Sequence, residues 1–184
     1  MSIDIDKILF AILAGGQSKR FGGGFKTFSK IDGEKILDII IKKLKKYSRD
    51  IIINANSLKD FKGLNQPIVV DKLNGFLGPL AGIHTSMSYA KNKYVNKEWI
   101  FTVPSDTPYL PENLLDKFLE TFDNQNIKIL IARSNNRHHP VIAMWHISLL
   151  QNLEDELKSK NYKIMHWVKK HNYKFVEFNS DQEK

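Results

Sequence analysis

The sequence predicts a three-layer α/β/α domain, a mostly parallel sheet with helices on both faces. Three observations carry this. Apolar runs of strand length recur at 8–13, 51–53, 67–70, 99–103 and 127–132. Segments with helical spacing of apolar residues alternate with them. And the first four runs end abruptly in glycine, asparagine or aspartate.

The run 8–13 is too short for a buried helix and suits a strand covered on both faces. Asp32-Gly33 marks a turn. Ile36, Ile39, Ile40, Leu44 and Tyr47 then recur at helical spacing, predicting an amphipathic helix over 35–47. Lys42, Lys43, Lys45 and Lys46 crowd its last turns, where cations suit the helix dipole. Strands follow at 51–53, before Asn54-Ala55-Asn56, and at 67–70, before Asp71. Pro79 fits the first position of a helix over 80–90. The strand 99–103 runs into Pro104-Ser105-Asp106-Thr107-Pro108. A helix is expected over 111–122, strands over 127–132 and 141–144, helices over 147–157 and 163–171, and a last strand over 173–178. No linker, repeat or low-complexity segment interrupts the series, so residues 1–184 are expected to form one domain.

Composition narrows the function classes. The chain has no cysteine, hence neither disulfides nor a thiolate metal site. No run is long or apolar enough to span a membrane. The N-terminus lacks a basic segment followed by a signal-type apolar core, which makes the cytoplasm the expected location. The net charge of +8 invites a nucleic-acid reading. Against it, the basic residues are overwhelmingly lysines scattered on helix faces rather than interleaved with aromatics. The expectation is therefore no nucleic-acid and no membrane partner. Arginine is scarce, and Arg20, Arg133 and Arg137 fall in expected loops. There a planar fork suits bidentate phosphate contacts.

The first strand ends in Gly15-Gly16, followed by Lys19-Arg20-Phe21, Gly22-Gly23-Gly24 and Lys26. Glycines let backbone N–H groups approach a ligand, and successive amides favour anions. The spacing is neither G-x-G-x-x-G nor a Walker A loop, since Phe25 precedes Lys26-Thr27. A phosphate loop of another type and a Gly-rich structural turn both remain open on spacing alone. Functional groups of open α/β sheets lie beyond the carboxyl ends of strands. Here those ends carry the glycine loop, Asn54, Asp71 and Asp106. Each is weak alone, and Asp106 could serve as a helix cap. Together they describe a crevice with phosphate-binding amides, one amide side chain and two carboxylates. Carboxylates beside phosphates call for an intervening cation, and Mg²⁺ is the usual one. The residues thus point to metal-dependent nucleotide chemistry.

At these residues the chain resembles nucleotidyltransferases of the nucleotide-diphospho-sugar transferase fold, a Rossmann-like architecture. The likeness runs over about residues 8–178. Within that superfamily it is most similar to the molybdenum cofactor guanylyltransferases. The similarity lies in Leu13-Ala14-Gly15-Gly16, Asn54-Ala55-Asn56, Asp71, Gly78-Pro79-Leu80-Ala81-Gly82, Asp106-Thr107-Pro108-Tyr109 and His139-Pro140-Val141-Ile142-Ala143. The resemblance implies transfer of GMP from GTP to the molybdenum-bearing pterin cofactor, with release of pyrophosphate. It implies that Leu13, Ala14 and Gly15 contact GTP through the backbone, with Gly16 beside them, Lys26 its phosphates, and Asn54 and Asp71 its nucleoside; Lys26, Arg20 and Asp106 are the expected catalytic residues. Asp106 would hold Mg²⁺, and Arg137, His139 and Pro140 would lie toward the pterin. Transient contact with molybdoenzyme maturation proteins is implied as well.

Two departures stand out. Phe25 precedes Lys26 where the family has an acidic or amide residue. The tail from Phe178 to Lys184 lacks the family's Asn-Thr-Pro segment. A relative using CTP or a sugar or polyol phosphate, and a non-catalytic nucleotide-binding module, are the alternatives. Elsewhere, His138-His139 is not expected to form a metal pair, because adjacent strand residues point apart. His166 is expected to pack in its amphipathic segment, and Trp99 and Trp145 to lie in the core or at its rim.

Overall fold

The structure, a computed structural model, describes residues 3–15, 26–71, 78–124 and 126–178. Strand β1 (Ile8–Leu13) is buried along its whole length. Its alternating side chains feed two cores. Ile8, Phe10 and Ile12 join one cluster, and Leu9, Ala11 and Leu13 the other. A strand enclosed this way has no polar face, which is why its sequence is an unbroken apolar run.

A short antiparallel pair follows, β2 (Lys30–Ile31) and β3 (Glu34–Lys35). It closes on the expected turn, with Asp32 and Gly33 both at positive φ, the backbone of a two-residue hairpin loop. Helix α1 (Ile36–Leu44) buries Ile36, Leu37, Ile40, Ile41 and Leu44 against the first core. Strands β4 (Ile51–Ala55) and β5 (Ile68–Val70) and helix α2 (Pro79–Lys93) come next. Strand β6 (Trp99–Pro104) and helix α3 (Leu114–Thr121) follow. Strands β7 (Ile129–Ser134) and β8 (Arg137–His146), helices α4 (Leu150–Lys158) and α5 (Ile164–Val168), and strand β9 (Tyr173–Glu177) finish the described chain.

The main sheet has the order β5-β4-β1-β6-β8-β7-β9, with β6 at its centre. The pairs β5/β4, β4/β1, β1/β6 and β7/β9 are parallel; β8 is antiparallel to both of its neighbours. Residues of α1 and α3 pack with the first core, and residues of α2, α4 and α5 with the second. No helix among the described residues is long and apolar enough to cross a membrane.

Several expectations shift. The helix expected from 111 begins at Leu114, because 111–114 closes as a turn, Leu114 N–H to the Pro111 carbonyl. The strand expected at 141–144 reaches back to Arg137. Asn135 and Asn136, both at positive φ, make a tight turn that keeps β7 and β8 paired almost to its tip. Arg133 and Arg137 therefore sit on strands, not in loops. The helix expected from 147 opens as a 3₁₀ turn, Ile147–Leu149, which His146 caps by accepting from the Ser148 N–H. Trp99 and Trp145 are core residues, while His166 is exposed rather than packed.

His139, His146 and His171 are all held below the ordinary imidazole range, each chiefly by burial. The native state therefore binds fewer protons than the unfolded chain below about pH 6.5. The stability these groups permit is complete above that value and is lost as the pH falls through it. In high salt, where surface charge is screened, the melting temperature should fall steadily between about pH 7 and pH 5. A flat profile would contradict the assignment.

Candidate nucleotide site

The carboxyl ends of four neighbouring strands stand level. Leu13 pairs with Asn54 on one side and with Pro104 on the other, and Asn54 pairs with Val69. The row continues past the strands: the Ala14 N–H donates to the Asn54 carbonyl (2.7 Å), and the Ser105 N–H to the Leu13 carbonyl (3.1 Å). Leu13 and Ala14 are buried, so what they can offer a ligand is backbone.

Asn54 is the best-fixed side chain of the row. It is 1 % exposed. Its amide Nδ2 donates to the Val69 carbonyl (3.2 Å) and to Asp71 Oδ1 (2.6 Å). Its Oδ1 lies against Gly82 in the first turn of α2, so closely that a Cβ there would overlap it. It also stands 3.6 Å from where a Cβ on Gly15 would be. Asn56, on the same strand end, donates from Nδ2 to the Gly15 carbonyl. Asp71, Asn54, Gly15 and Gly82 thus meet on the α2 side of the sheet edge. Asp71 orients Asn54 as well as offering its own carboxylate.

The turn that carries Lys26 packs on the other face, with Phe28 against the core of α1 and α3. Lys26 is exposed and opens a 3₁₀ turn, Lys26–Phe28. The turn is anchored on both sides. Thr27, 4 % exposed, donates from Oγ1 to the Ser105 carbonyl (2.9 Å), and Phe28 packs on Phe61 with ring centroids 5.2 Å apart. The Thr27–Ser105 bond holds Lys26 beside the turn that carries Asp106. Asp106 is exposed and follows the central strand. It caps no helix, since the N-cap of α3 is Asn113.

Asp71 and Asp106 follow strands three positions apart in the sheet, about 14 Å at the usual strand spacing. One ion cannot be held by both, and Asp106 is the candidate ligand. Among the described residues no three His, Asp or Glu side chains gather as a metal cluster. Arg137 and His139 stand on the ribbon formed by the outer ends of β7 and β8, at the same end of the sheet. Gly16 and Arg20 lie outside the described residues, as does Phe25.

Reading the sequence alone missed Thr27 and Asn56 as site-building residues. Asn56 carried a usable signal, a second strand-end amide two residues after Asn54. Thr27 carried none, because its partner is 78 residues away.

The family described as the MobA-like NTP transferase domain matches residues 10–174. A molybdenum cofactor guanylyltransferase of Nitrobacter hamburgensis is 33 % identical over 170 residues, covering 91 % of this chain and 81 % of its own. One of Shewanella sediminis is 32 % identical over 183 residues, covering 99 % and 89 %. The crystal structure of molybdopterin-guanine dinucleotide biosynthesis protein A from Archaeoglobus fulgidus superposes with a TM-score of 0.72 at 19 % identity, over 94 % of this chain and 84 % of that one. That last likeness is one of fold, the nucleotide-diphospho-sugar transferase fold. The chain belongs to the MobA-like NTP transferase family and, within it, to the molybdenum cofactor guanylyltransferases.

Proposed function

We propose that the chain transfers GMP from GTP to the terminal phosphate of the molybdenum-bearing pterin cofactor, forming a guanine dinucleotide and pyrophosphate, in the cytoplasm. The observation that supports this most is the fixed Asn54. A 1 % exposed amide, held by Asp71 and crowded by Gly82, is a preset support that fixes the Asp71 carboxylate and the Gly15 end of β1 on the α2 side of the edge. It suits the nucleoside of GTP. Lys26 opens a turn on the α1 side that the Thr27–Ser105 bond sets beside the turn of Asp106, and the triphosphate would pass over Gly15 toward them.

In such a transfer an acceptor phosphate oxygen attacks the α-phosphorus in line, and the bond to the pyrophosphate oxygen breaks. Positioning and charge neutralisation supply most of the acceleration. That agrees with a site that has phosphate-binding backbone and isolated charges. Backbone of Leu13–Gly15 orients the nucleotide. Lys26 binds its phosphates.

The residues fit Mg²⁺. Asp106 is an exposed carboxylate with no hydrogen-bond or ion-pair partner among the described residues, and this ion binds through one or two carboxylates plus substrate phosphates. When bound, the ion would neutralise charge at the reacting phosphate.

The test is pyrophosphate release across a nucleotide panel, with and without the pterin substrate. GTP should be preferred and release should require the pterin; preference for CTP would overturn the reading. In the same assay Lys26→Ala should lose about 1.5–3 kcal/mol of GTP interaction, a charge-assisted bond. That is roughly a ten- to hundredfold rise in the GTP KM, with the melting temperature unchanged. An unaltered KM would remove Lys26 from the site.

A further inference from the structure

The outer ends of β7 and β8 do something the rest of the sheet does not. Ile131 pairs with Ala143, but the next residue, Ala132, pairs with His139. Three residues of β8, Pro140, Val141 and Ile142, are looped out between those pairs. Bulges of this kind redirect a strand and re-aim its side chains, and they recur beside functional sites.

This one is pinned from the core. Thr102 of the central strand, fully buried, donates from Oγ1 to the Val141 carbonyl (2.8 Å), with the Ala143 carbonyl at 3.3 Å. The same Oγ1 accepts from Trp145 Nε1 (2.9 Å). Beyond the bulge β8 pairs with β7 alone, and its ladder with β6 ends at Thr102–Ala143. There β8 parts from β6, while β7 stays paired with β9 as far as Arg133, so the outer ends of β7 and β8 form a ribbon on the β9 side.

The register sets the ribbon's height. Ser134–Arg137 is three residue steps above the Ile131–Ala143 pair, which is level with Thr102. Ser105 is three residues above Thr102 on the neighbouring strand. The ribbon tip thus stands at the height of the turn that carries Asp106.

Its face is set too. Ala132 belongs to the core shared by α1 and α3. Ser134, two residues on, and His139, opposite Ala132, share that face. Arg133 and His138 take the other one, where Arg133 pairs with Glu177 and both lie against Phe175.

On the α1/α3 face, Ser134 Oγ lies 2.7 Å from His139 Nε2. The imidazole is partly buried, and that burial, with the charge of Arg137, lowers its pKa and favours the neutral form. A neutral imidazole has one N–H and a serine one O–H. Their mutual bond consumes one of these hydrogens and leaves the other free, on Nδ1 or on Oγ.

We propose that Ser134 is a positioning residue: by fixing the His139 ring, it makes the pair present one donor, beside Arg137, to the anionic phosphate of the acceptor. The proposal rests on the guanylyl-transfer reading. It places the acceptor on the α1/α3 side of the edge, across from the nucleoside site at Asn54. An in-line displacement needs the attacking oxygen held opposite the leaving group, and a fixed donor on the acceptor phosphate helps to hold it there.

The test compares the wild-type protein with Ser134→Ala and Ser134→Thr. Ser134→Ala should raise the KM for the pterin acceptor about tenfold, with the GTP KM unchanged, and Ser134→Thr should restore it. Nitrogen NMR of the His139 ring should show one tautomer in the wild type and in Ser134→Thr, and a mixture in Ser134→Ala. An acceptor KM within about twofold of wild type in Ser134→Ala, an equal rise in both KM values, or an unchanged tautomer would overturn the proposal while leaving guanylyl transfer intact. Absence of pterin-dependent pyrophosphate release in the wild-type protein would overturn both, and so marks the other failure.

Discussion

Asp106→Asn should abolish most turnover, a loss on the order of 10³ in Mg²⁺-dependent rate, and leave stability within about 0.5 kcal/mol. The asparagine keeps the size of the side chain and its capacity to accept hydrogen bonds. It loses the negative charge that would hold a divalent ion against the phosphates. The fold has no use for that charge: the side chain is exposed and caps no helix. Its backbone is anchored independently by the Thr27–Ser105 bond. A stability cost would therefore be surprising, and a large one would mean that the carboxylate is structural. Activity near wild type across a Mg²⁺ titration would remove Asp106 as a ligand. The Asp71→Asn variant is the useful contrast. Asp71 accepts from Asn54, so its loss should act through the nucleotide KM rather than through Mg²⁺ dependence.

The difference between those two aspartates marks where the sequence stops being legible. Both follow an apolar run directly, and that pattern alone places each at the carboxyl end of a strand. It does not say that β4 and β5 are neighbours, and only that adjacency brings Asp71 onto Asn54. Nor does it give the sheet order, which puts the two carboxylates too far apart to share one ion.

The buried strands were readable because enclosure on both faces demands continuous apolar sequence. Helix α1 was readable because its buried residues repeat at helical spacing. The β7–β8 ribbon was not. Its turn is Asn135-Asn136, which lacks the glycine that usually marks a two-residue hairpin. Its bulge depends on Thr102, a residue more than thirty positions away that reads simply as part of an apolar strand. Arg133 and Arg137 thus looked like loop residues, although strand register fixes their height and face.

Gly82→Ala should destabilise the protein by about 2–4 kcal/mol and weaken nucleotide binding, although helix propensity alone predicts the opposite sign. Gly82 lies in α2, where alanine is intrinsically better than glycine by about 1 kcal/mol. The added Cβ, however, would overlap Asn54 Oδ1 and come within 3.3 Å of Asn54 Cγ and Leu13 Cδ2. The amide cannot simply step aside. It is buried, on a strand with neighbours on both sides, and its Nδ2 is committed to Val69 and Asp71. Displacing it breaks two hydrogen bonds and leaves a buried carbonyl short of a partner, each loss worth about 1 kcal/mol or more. That outweighs the propensity gain. A double-mutant cycle isolates the cause. In an Asn54→Ala background the overlap is gone, so Gly82→Ala should become neutral or stabilising by up to about 1 kcal/mol. Chemical denaturation of the four proteins measures the coupling. Equal costs of Gly82→Ala in both backgrounds would show that α2 does not press on Asn54, and the preset nucleoside support would lose its physical basis.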